Sequence, residues 1–139
     1  MNTEEVCRKS ERYIAGKLSA IVGGSMPFLS LIGGGESDDA VEVEPPFVVV
    51  GVNNARNDTY LNVFFLQGAV QVVTHMSEYT PSAHSALANS VEEAIRQMEA
   101  EVIPGFHFNG IDISATRFVE NSDEKVRVTA IDFTAGVCG

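Results

Sequence analysis

Apolar positions at Val6, Tyr13, Ile14, Leu18, Ile21 and Val22 recur at helical spacing, with charged residues between them. Glu4 and Glu5 sit where a helix N-terminus favours negative charge, Asn2 or Thr3 can cap it, and Gly23-Gly24 ends the run. The pattern predicts a helix over 3–22. A second stripe runs through Leu87, Val91, Ala94, Ile95, Met98 and Val102, while Glu92, Glu93, Arg96, Gln97 and Glu99 face water. Thr80 caps this helix, Pro81 occupies its first turn, and Pro104-Gly105 stops it.

The remaining apolar runs have strand character. Phe47 to Val52 (FVVVGV) is a short β-branched run of the kind buried in a sheet, and NNARND after it is turn chemistry. From Tyr60 to His75 the pattern is strand-like but changes parity. Leu61, Val63 and Phe65 share one face and Leu66, Val70 and Val72 the other, so Gln67-Gly68 marks either a bulge or a tight hairpin. Ile111, Ile113 and Ala115 alternate with polar partners, ENSDEK is a turn, and Val126 and Val128 open a return strand. That strand changes parity near Ala130, placing Ile131 and Phe133 on the other face. The expected fold is α+β: a mainly antiparallel sheet of four to five strands with two packed helices, in one domain over 1–139.

Residues 23–46 show neither period and form a long loop or extended flexible arm. Within it, GGSMPFLSLIGGG raises three possibilities. A phosphate loop needs a nearby cation, yet no Lys or Arg occurs between Lys17 and Arg56, and acids follow the glycines. A membrane span needs a continuous apolar helix, but residues 18–35 contain five glycines, three serines and Pro27. What remains is an arm whose anchors Met26, Phe28, Leu29, Leu31 and Ile32 either fold back on their own domain or dock on a neighbouring subunit.

Composition narrows the chemistry. Nineteen acids against nine bases give a net charge of −10 and a pI near 4.6, which disfavours nucleic-acid and anionic-membrane binding. The start of the chain lacks the order of a secretory signal. Cys7 and Cys138 have no metal-ligand spacing and are expected as free thiols; the sequence does not say whether they are close. His75, His84 and His107 show no zinc-site spacing, and no nucleophile elbow is present. The acid pairs Asp38-Asp39, Glu92-Glu93 and Asp123-Glu124 fall in polar surroundings suited to solvated charge. No catalytic, cofactor-binding or metal-binding residues are assigned, and a non-enzymatic role is expected.

The stretches FFLQGAVQVVTHMSEYTPSAHSALANSVEEAI and IDISATRFVENSDEKVRVTAIDFTAGV, with PPFVVVGV before them, resemble the tail terminator or tail-completion proteins of long-tailed bacteriophages. In that family a strand leaves the sheet, passes a short polar loop into one long helix, and a hairpin closes the fold. The resemblance is of pattern and length over most of residues 3–137. It implies a structural virion protein of the tail or neck, assembled in the host cytoplasm. Its homo-hexameric ring would cap the tail tube and join it to the head-side connector, contacting tail-tube and neck proteins. Such a protein binds no membrane and no specific nucleic acid, although DNA passes its lumen. Gly23 to Gly35 departs from the family by being apolar for a loop on a lumen or outer wall, which suits a subunit boundary or a place beneath the domain. Alternatives are a tail-tube or head-completion protein, a small α+β enzyme or ligand-binding domain using His75, His84 or a carboxylate, and an acidic adaptor binding through Glu36 to Glu44.

Overall fold

The computed structural model describes residues 3–23, 26–30, 44–58, 63–103 and 105–138. In chain order the elements are α1 (Thr3–Val22), β1 (Phe28–Ser30), β2 (Phe47–Asp58), β3 (Val63–His75), α2 (Pro81–Arg96), β4 (Glu101–Ile103), β5 (Phe106–Asn121) and β6 (Val126–Cys138). The strands form one six-stranded sheet in the order β1-β2-β3-β6-β5-β4. The sheet is mixed, because β1 pairs with β2 in parallel while every other pair is antiparallel. The expected α+β class therefore stands, with six strands instead of four to five.

Both helices pack on one face of this sheet, α1 over β1 and β2 and α2 over β3, β5 and β6. Helix α1 buries Val6, Ile14 and Leu18 as its spacing requires, and adds Cys7, Ser10, Glu11 and Ala15 to the same stripe. Gly23, at φ 72°, adopts a left-handed conformation and donates its N–H to the Ser19 carbonyl at 3.0 Å, ending the helix. Asn2, the alternative cap, lies outside the described residues. In α2, the Thr80 Oγ1 accepts the Ala83 N–H at 3.1 Å and Pro81 occupies the first turn, where a missing N–H costs nothing. The facing core includes Phe64, Leu66, Val70, Val72, Ile131, Phe133 and Phe108. Full burial of a side chain of this size contributes about 1.5–3 kcal/mol.

Several local expectations are corrected. NNARND is not a turn: β2 continues through it to Asp58, paired with β3. The parity change at Gln67-Gly68 is absent, since β3 runs in unbroken register against β6 from Val63 to His75. A bulge does occur at this level, but in the partner strand, between Val52 and Asn54. The apparent change arises because Phe64 points into the core while Phe65 faces out and is 40% exposed. Strand β6 likewise keeps one parity. Thr129, Ile131, Phe133, Ala135 and Val137 face the helices, and Ala130 is buried on the opposite face. Helix α2 ends at Arg96, before the expected stop, and Glu101–Ile103 is a short strand in which Val102 is 73% exposed.

Candidate functional site

Buried polar side chains in this molecule tie one element to another. His84 of α2 is 5% exposed, with Nδ1 2.6 Å from the Thr74 hydroxyl of β3 and Nε2 2.8 Å from the Thr129 hydroxyl of β6. Burial lowers the imidazole pKa below its ordinary value, the Arg127 charge adds to that shift, and Glu120 opposes it. Among the described residues the side-chain hydrogen-bond partners of the ring are these two hydroxyls. Glu11 of α1 is fully buried; its Oε2 accepts the Val52 N–H at 2.9 Å and its Oε1 the Ser30 hydroxyl at 2.6 Å. One carboxylate thus fixes α1, β1 and β2 at its bulge. A third link joins α1 to β4: the Tyr13 hydroxyl donates to Glu101 at 2.5 Å and Lys17 pairs with Glu101 at 2.8 Å. Lys17 and then Tyr13 hold the Glu101 carboxyl below its ordinary pKa. Burial and the Glu101 contact push the Tyr13 phenol well up. Burial also raises the Cys7 thiol, with Glu11 and Glu4 adding to it. Tyr13 and Cys7 are shifted away from the anionic forms a nucleophile or base needs.

A groove of about 650 Å³ opens on the sheet face away from the helices, and its lining also takes in Leu66, Met98 and Ala135 from the core side. Strand register builds it. One cross-strand row runs Arg56, Phe65, Gly136, Gly110, and the next runs Asn54, Gln67, Thr134, Asp112. The Arg56 guanidinium lies 5.1 Å from the centre of the Phe65 ring, a cation–π contact, and Asn54 donates to Gln67 at 3.1 Å. Beyond Phe65 the two glycines contribute no side chains, and Asn109 borders the gap, 3.4 Å from where a Cβ of Gly136 would sit. Gly110 has φ 118°, next to the bulge between Phe108 and Gly110. Among the described residues Arg56 has no carboxylate partner.

The other candidates are dispersed. Met26 and Phe28 pack against the core of their own domain, and Leu29 is half-buried in the same edge segment. Leu31, Ile32 and the Asp38-Asp39 pair lie outside the described residues. His75 bonds the Ser77 hydroxyl at 2.7 Å, and Glu92 pairs with Arg96 at 2.8 Å one helical turn on. Asp123 and Glu124 donate their backbone N–H groups to Asn121 Oδ1 in the β5–β6 turn. Cys7 and Cys138 are both free. Among the described residues no three His, Cys, Asp or Glu side chains converge to hold a metal. None of the described helices is long and apolar enough to cross a membrane. Sequence reasoning did not single out Glu11 or the groove, which exists only through register.

No family model and no curated protein sequence matches the chain. Among solved structures, a chain from "Virion of native gene transfer agent (GTA) particle" shares this fold, with a TM-score of 0.55 and 18% identity over 97% of this chain and 94% of that one.

Proposed function

We propose that this protein is a structural component of a phage-like virion, a ring at the tail or neck that caps the tail tube and meets the head-side connector. The observation that carries the reading is the end-to-end likeness of fold to a chain from a gene transfer agent virion, covering nearly all of both chains. The chemistry agrees with it. Buried His84 and half-buried Tyr13, whose pKa values are shifted, lie in links between elements, as expected of a part that works by shape. A net charge of −10 repels DNA passing a lumen. In this reading copies assemble in the host cytoplasm into a homo-hexameric ring that contacts tail-tube and neck proteins. Leu29, Leu31 and Ile32 are its arm contacts, with Met26 and Phe28 packed on the core of their own subunit. Heterologous contacts of this kind close into a ring when the rotation permits.

Size-exclusion chromatography with light scattering, followed by negative-stain microscopy with purified tail tubes, tests the proposal. The expected result is a closed oligomer that decorates tube ends. A protein that stays monomeric at tens of micromolar and leaves tube ends bare refutes it.

A further inference from the structure

We infer that neighbouring copies join by inserting Phe118 and Glu120 of one into the Arg56–Phe65 groove of the next. The inference rests on the ring reading and names the contact that builds it. Phe118 is 76% exposed on β5, an unusual position for a large aromatic side chain. Glu120 lies on the same strand face, about 7 Å further along. Its side chain is 66% exposed and reaches Arg127 at only 3.4 Å, while Arg127 also donates to the Tyr79 carbonyl at 2.8 Å. Glu120 therefore has acceptor capacity left for a second cation. The groove offers the complement. Gly136 stands directly across from Phe65 and adds no side chain of its own, so the Phe65 ring is bordered on that side by backbone and by Asn109, and an aromatic partner can pack against it. On the other side of Phe65 is Arg56, whose guanidinium has no carboxylate among the described residues. Knob and groove are different surfaces of one chain, so the contact is head-to-tail and propagates around an axis.

Sedimentation velocity over a concentration series on the full chain tests this, with circular dichroism and the thermal midpoint as fold controls. Phe118→Asp, Arg56→Glu and Gly136→Val should each weaken self-association roughly tenfold or more without unfolding the domain. The valine narrows the groove between Phe65 and Asn109 without a severe clash, since a Cβ at Gly136 meets Asn109 at 3.4 Å. The charge swap Arg56→Glu with Glu120→Arg should restore association to within about threefold of the starting protein. Wild-type assembly that all three single variants preserve overturns this contact and leaves the ring reading intact. Failure of the swap to rescue, with both single charge variants folded, overturns the pairing of Arg56 with Glu120. A wild-type protein that never associates overturns both the contact and the ring.

Discussion

His84 makes stability depend on pH in a direction that the geometry fixes. The ring is 5% exposed and its folded pKa lies below the ordinary value of 6.5. Protonation leaves both threonine hydroxyls able to accept, so the cost is desolvation of the cation beside Arg127, offset in part by Glu120. Because the folded pKa is the lower one, the unfolded chain binds more protons below 6.5. The stabilisation is complete above that pH and is lost as pH falls through and below it. One group that stays neutral in the folded state loses at most about 1.4 kcal/mol between about pH 7.5 and 5.5. For a domain of this size that is a fall of roughly 0.5–1 M in the urea midpoint. Urea titrations of wild type and His84→Gln at both pH values isolate the effect, because glutamine bonds the hydroxyls without titrating. The variant should be less stable at high pH and show a smaller loss on acidification. Parallel losses in the two proteins refute the claim that this site excludes a proton.

Three further substitutions probe the frame. Gly68→Ala places a Cβ 2.2 Å from the Gly51 carbonyl oxygen and 2.9 Å from the Phe133 ring, so it should cost about 1–3 kcal/mol or more in urea unfolding. Glu11→Ala leaves the Val52 N–H and Ser30 hydroxyl without this acceptor. It should cost about 1.5–3 kcal/mol and speed hydrogen exchange at Val52 more than at Val70. Thr80→Ala removes the cap on Ala83 and should cost about 1 kcal/mol, read from the thermal midpoint.

Helices were legible because their signals are local. The stripe from Val6, the Gly23 stop and the Thr80-Pro81 start all act within a turn or two of chain. The far end of α2 was misjudged because Met98 and Val102 continue the helical period by coincidence. Met98 is buried after the helix has ended, and Val102 points to solvent from β4. Sheet details failed for the opposite reason. Asn54, Arg56 and Gln67 have no strong strand propensity of their own, and pairing across β2–β3 overrides local preference there. Gly68 looked like a hairpin signal, but it is needed for the close approach of Gly51 on the bulged strand. The groove was invisible for the same reason: Phe65, Gly136 and Gly110 are neighbours only in register.

The same distinction bears on function. Three polar links fix α1 to β1 and β2, α2 to β3 and β6, and α1 to β4, so the helices are pinned to one side of the sheet. The two buried links, at His84 and Glu11, cost desolvation that an apolar pair would avoid, and all three give a directional restraint that an apolar pair lacks. A scaffold restrained this way loses little freedom when it docks, so more of its contact energy appears as affinity. Meanwhile the opposite sheet face keeps Phe65 and Val119 partly in water, at 40% and 53% exposure. Rigidity behind, and a front on which exposed Phe65 and Val119 stand among polar side chains, suit a face that meets another protein. This is why Arg56, Phe65 and Gly136 are the residues on which an assembly role should be tested first.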